Sequence, residues 1–206
     1  MQLFDRPGDY RDFLTFFSAA QQRTPMRCLA YCLMPNHFHF VLWPRQDGDL
    51  SAFMFWLTTK HSKRWHVAHA TSGTGAVYQG RFKSFPISAN DHFLRVCRYV
   101  ERNALRAGLV ARAQDWPWSS LAQRLDHGAA VRLAEWPVPR PDGWNDLVNS
   151  ENPQETHEIR LSVRRNAPYG SELWAELLAP RLGIRQSLRP LGRPRKSKPG
   201  IIFVAP

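Results

Sequence analysis

The sequence predicts an α+β domain built on an antiparallel sheet, continued at its C-terminal end by helices and a basic tail. Two sets of observations carry this. A strand–turn–strand pattern spans residues 27–43, flanked by stretches whose apolar residues recur at helical intervals. Basic residues crowd the far end of the chain, where proline and glycine break any helix.

Residues 8–22 (GDYRDFLTFFSAAQQ) space Tyr10, Phe13, Leu14, Phe17 and Ala20 as one helical face, with Asp9 as N-cap. Residues 27–34 form an apolar strand, and Pro35-Asn36 turns it into a second strand over 37–43. A long helix follows over 50–68, with Phe53, Leu57 and His61 along one side. GRFKSFPI (80–87) reads as a third strand, and 90–106 as a helix capped by Asn90 or Asp91 and stopped by Gly108. WPVPRPDGW (136–144) reads as a Pro-rich linker, with short helices over 151–165 and 170–180 beyond it. The core order α-β-β-α-β-α is a ferredoxin-like plan with one extra helix and without its opening strand. The terminal GIIFVAP (200–206) is a candidate to fill that gap. The boundaries expected are a core domain over 1–125, a helical extension over 126–180 and a basic tail over 181–206.

Composition narrows the function classes. The 206 residues suffice for one compact domain with extensions. No segment approaches the roughly 18 to 20 apolar residues that span a bilayer, so no membrane partner is expected. The opening MQLFDRPGDY does not read as a signal peptide. Cys28, Cys32 and Cys97 suit reduced thiols of the cytoplasm better than a disulfide framework, and a Cys28/Cys32 zinc half-site lacks a second pair. The net charge is +11, and seven basic residues with no acidic one fall between Arg181 and Lys198. Such an excess draws polyanions, with nucleic acid ahead of lipid, and implies association with the nucleoid. GRPRK, with Arg193, Arg195 and Lys196, resembles the core of an AT-hook that enters a narrow minor groove.

The chemistry-bearing residues sit in CLMPNHFHFVLW (32–43) and CRYVERN (97–103). Alternation on a strand projects His37 and His39 from one face, about 7 Å apart, and sends Phe38, Phe40 and Leu42 to the other. Two imidazoles so placed can address one metal ion, although H-x-H on a strand also occurs as packed core histidines. On the last core helix Tyr99 and Asn103 lie one turn apart, beside a cationic stripe of Arg95, Arg98, Arg102 and Arg106. A phenol has a pKa of about 10, but a nearby cation favours the phenolate, for which phosphate is a natural target. Arg81 and Lys83 alternate with Phe82 on the third strand, which offers cations to phosphates on one face and a core anchor on the other. An ordinary half-buried strand is the alternative. Trp116 and Trp118 in DWPWSS are expected to pack the end of the domain rather than to stack on bases.

Together PNHFHF, YQGRFKS (78–84), RYVERNALRAGLV (98–110) and DWPWSS (115–120) resemble the single-tyrosine transposases of the HUH endonucleases, in the branch called REP-associated tyrosine transposases. The likeness runs from about Leu3 to Ser120. It implies an HUH domain that uses Mg²⁺ or Mn²⁺ to cut and rejoin single-stranded DNA beside hairpin repeats, leaving a 5′-phosphotyrosine and a 3′-hydroxyl. His37 and His39 would then ligate the metal, Asn103 would be a polar third ligand and Tyr99 the nucleophile. Family members begin with a strand bearing His-x-T/S-x-R, whereas this chain starts just after it, and Ala104 stands where proline is common. Two rivals are a catalytically inactive hairpin-binding relative and a zinc-stabilised structural protein. Monomer and homodimer both remain open, with the extension resembling the monomeric branch.

Overall fold

The structure, a computed structural model, describes residues 2–126 and 131–189. Helix α1 (Pro7–Arg23) buries Tyr10, Phe13, Leu14, Phe17 and Ala20, the face that the spacing predicts. Its start differs from expectation. Arg6 is the N-cap and Pro7 opens the helix, where its missing N–H costs nothing. Asp9 acts from inside the first turn, accepting from the backbone N–H groups of Asp5 and Arg6, both at 2.9 Å.

Strands β1 (Met26–Met34) and β2 (His37–Pro44) form an antiparallel hairpin in which Cys32 faces His39 and Met34 faces His37. Alternation divides the hairpin between two cores. On one face Tyr31 and Leu33, with Phe38 and Phe40, meet α1 and α2 (Asp49–Ala68), around Phe13, Phe17, Phe53 and Leu57. On the other face Ala30, Cys32 and Val41 meet α3 (Asp91–Glu101), around Val96, Cys97 and Val100. Asn90 caps α3 by accepting from the His92 N–H at 3.0 Å. A short α4 (Asn103–Arg106) continues α3 after a break at Arg102, and Gly108 then turns the chain at φ 70°.

The third strand expected over 80–87 is not formed; the sheet among the described residues has two strands. Residues 81–86 lie outside any strand, and only Ile87 bridges, to Tyr169. Tyr169 N–H donates to Pro86 O at 2.9 Å, and Tyr169 O accepts from Ser88 N–H at 3.0 Å. Pro86 has no donor for a ladder, and Phe82, expected as a core anchor, is 40% exposed.

The outer edge of β1 is covered by irregular chain. Leu33 N–H donates to Trp118 O, Tyr31 N–H to Ser120 Oγ and Ala134 N–H to Cys28 O, at 2.8 to 2.9 Å. The indoles of Trp116 and Trp136 donate to Leu33 O and Leu29 O, both at 2.8 Å. Trp116 and Trp118 therefore pack, as expected, with Trp118 stacked on Tyr10 at 4.7 Å. Trp136 corrects the reading of 136–144 as a linker, because its indole fastens that segment to the hairpin and contacts the rings of Phe93 and Trp144.

Helices α5 (Ser120–Asp126) and α6 (Trp144–Asn149) add to the expected elements, whereas α7 (Pro153–Arg165) and α8 (Glu172–Arg181) fall where the spacing predicts. Trp144, Val148 and Ile159 enter the second core. Glu101, wholly buried, accepts from Ser120 Oγ at 2.6 Å and from the Trp144 indole at 2.8 Å, tying α3 to α5 and α6. Burial pushes its carboxyl above the ordinary range, and the two donors oppose the shift. The architecture is mixed, with a two-stranded antiparallel sheet and eight α-helices among the described residues. No helix of these is long and apolar enough to cross a membrane. The three cysteines are buried free thiols. GIIFVAP, Arg193, Arg195 and Lys196 lie outside the described residues.

Candidate active site

β2 presents His37 and His39 toward α3, and the two rings converge until their Nε2 atoms stand 3.0 Å apart. This is closer than strand alternation alone provides, because each ring tilts toward the other, at 86° between planes. His37 Nδ1 lies 2.7 Å from Asn36 Oδ1. An amide oxygen can only accept, so Nδ1 carries the proton and Nε2 is left as the acceptor that faces His39 Nε2. Burial, followed by the Arg106 charge, holds His37 below its ordinary pKa. Burial, His37 and Arg106 together hold His39 well below it. Both imidazoles are therefore neutral near pH 7, the state in which a histidine can ligate a metal.

α3 carries Tyr99 across from this pair, with its ring centroid 5.8 Å from that of His39. The Arg106 guanidinium lies 6.0 Å from the Tyr99 ring centroid. Arg106 is the one member of the arginine stripe turned to this cluster. Arg98 pairs with Glu155 at 2.7 Å and Arg102 with Glu151 at 3.1 Å, both on the α7 side. Arg95 stays at the surface against the Tyr169 hydroxyl. Arg81 and Lys83 are exposed on the unpaired segment.

Asn103 is fully buried, and its oxygen accepts from Arg106 at 2.6 Å while its amide donates to Tyr99 O at 2.8 Å. It steadies Arg106 and the Tyr99 turn. Asn36 is the residue that sequence reading passed over. Its signal was present, as an amide directly before the first histidine, but the PN dipeptide reads first as a turn.

The donor set fits a divalent cation in part. Two neutral nitrogens at 3.0 Å can share one ion at metal–nitrogen distances of about 2.1 Å. Among the described residues no group of three or more His, Cys, Asp or Glu can hold a metal ion. The remaining ligands would thus be oxygens of water or of a bound phosphate, the mixed set in which Mg²⁺ and Mn²⁺ are commonly held.

The structure thus brings a histidine pair, a tyrosine and an arginine together on a small basic α+β scaffold. Residues 2–103 match the family described as "Transposase IS200 like", and the chain belongs to this family of IS200-like transposases. A Haemophilus influenzae protein described as "Putative REP-associated tyrosine transposase" is 24% identical over 147 residues, covering 65% of this chain and 82% of that relative. No solved structure gives a significant match.

Proposed function

We propose that the protein is a metal-dependent single-strand DNA endonuclease and strand transferase, acting beside hairpin repeats through a 5′-phosphotyrosine on Tyr99. The observation that carries this reading is the convergence of His37, His39, Tyr99 and Arg106 at one place, with Nε2 atoms 3.0 Å apart and the phenol ring 5.8 Å from His39. The same reading takes the first 125 residues as an HUH domain of ferredoxin-like descent with a shortened sheet, acting in the cytoplasm at the nucleoid.

His37 and His39 would hold Mg²⁺ or Mn²⁺ through their Nε2 atoms. The ion, when bound, supplies Lewis-acid polarisation of the scissile phosphate. Tyr99 Oη attacks phosphorus, a P–Oη bond forms and the P–O3′ bond breaks. The phenol gives up one proton and the departing 3′ oxygen takes one up, so the cleavage is balanced. Arg106 faces the negative charge that builds on the phosphate, and Asn103 positions its guanidinium. The phosphotyrosine conserves the diester bond, so attack by another 3′-hydroxyl rejoins DNA without ATP. Arg81 and Lys83 are free to meet flanking phosphates. Arg95, Arg98 and Arg102 contribute less direct contact, because Glu155 and Glu151 engage the latter two. Arg193, Arg195 and Lys196 add sequence-independent attraction.

The test is incubation of the protein with hairpin-flanked single-stranded DNA and Mn²⁺ or Mg²⁺, beside Tyr99→Phe. Cleavage and covalent adduct are expected in the parent, and a loss of at least about a thousandfold in the variant. Equal cleavage by Tyr99→Phe overturns the nucleophile. Hairpin binding with no adduct under either metal points instead to a binding protein without nuclease activity.

A further inference from the structure

A cavity of about 170 Å³ opens beside the candidate active site, between β2 and the unpaired segment over 82–87. His39 and Tyr99 form part of its wall, and Val41, Met54 and Phe85 make much of the rest apolar. Its solvent-facing members include Phe82 and Lys83. Phe82 is 40% exposed, belongs to neither core and stacks on no ring among the described residues. Arg81 and Lys83 flank it and make no ion pair among those residues.

An exposed ring between two open cations, at the lip of an apolar cavity, has the makings of a site for an unstacked base. Single-stranded nucleic acid is held by aromatic faces that take bases and by cations that follow the backbone. A strand whose phosphate lies at Tyr99 carries its neighbouring bases within one nucleotide of this cavity. The lining offers few polar groups, so it favours the presence of a base over its identity.

We propose that the cavity takes one unstacked base next to the phosphate that Tyr99 attacks, with Phe82 as its stacking platform and Arg81 and Lys83 on the flanking phosphates. The inference rests on the proposed function for the identity of that phosphate.

The experiment uses the full chain in EDTA, so that no cleavage intervenes. Its probes are a short oligothymidylate and an abasic oligomer of the same length and charge, with affinities read by fluorescence anisotropy. The parent is expected to bind the oligothymidylate about tenfold more tightly. Phe82→Ala should cut that ratio below about threefold, Phe82→Trp should keep it, and Phe55→Ala, altering an exposed ring on α2, should also keep it. A ratio unchanged in Phe82→Ala, lost equally in Phe55→Ala, or absent from the parent overturns the inference. Hairpin cleavage is read separately. Phe82-dependent discrimination without cleavage keeps the base site and removes the nuclease, whereas Tyr99-dependent cleavage without discrimination does the reverse.

Discussion

His37 and His39 stand among Phe38, Phe40 and Val41 because a strand sends alternate side chains to opposite faces. That much is legible in the sequence, since a period of two needs no tertiary information. The proton on His37 Nδ1 is not legible, because it depends on Asn36 folding back to 2.7 Å from the ring. Asn36→Ala removes this acceptor and frees the ring to rotate or change tautomer. Mn²⁺ affinity, read by titration calorimetry or electron paramagnetic resonance, is expected to fall about 10- to 100-fold. An unchanged affinity would remove Asn36 from the site. Asn103 has a partner that its spacing from Tyr99 does not reveal. Its spacing of four from Tyr99 is real, and Arg106 three residues further on donates to its oxygen at 2.6 Å. Helical spacing identifies neighbours without saying which neighbour takes a lone pair.

At the scale of elements, the hairpin and five of the helices follow from periodicity, whereas the strand over 80–87 does not form. Its alternation is strand-like, yet Pro86 cannot donate and the segment is pinned instead to Tyr169, far along the chain. The arginine stripe of α3 has a similar history. Its spacing is visible in the sequence, but the partners of Arg98 and Arg102 lie 57 and 49 residues away on the α7 side. Arg98 and Glu155 are 16% and 11% exposed at their side chains, so this pair is mostly withdrawn from water. Glu155→Ala leaves Arg98 half-buried without a partner and also removes a contact to Asn152 at the start of α7. The variant is expected to lose about 3 kcal/mol in urea unfolding, and replacing Arg98 by Met as well should recover much of it. A loss below about 0.5 kcal/mol would mean that α7 is held by Ile159 and its apolar neighbours alone.

For the whole molecule, the segments on either side of residue 126 share one core, in which Trp144, Val148 and Ile159 meet Val96, Cys97 and Val100. This core and Glu101 hold α3 in place, and α3 in turn sets Tyr99 against the histidine strand. The net charge of +11 was legible from composition and suits a polyanionic partner. The packing of indoles along β1 was not, because it joins residues about a hundred positions apart, as Trp136 and Leu29 do. The proposed chemistry places the phenol of Tyr99 in attack on DNA at the histidine pair. Its most direct test is mass spectrometry of the covalent product after nuclease and trypsin digestion. Cleavage after Arg98 and Arg102 isolates the peptide Tyr99-Val-Glu-Arg, which is expected to carry a 5′-nucleotide on its tyrosine. A nucleotide found instead on the peptide of Tyr31 or Tyr78, or strand cleavage that leaves no tyrosine modified, would rule out Tyr99 as the nucleophile.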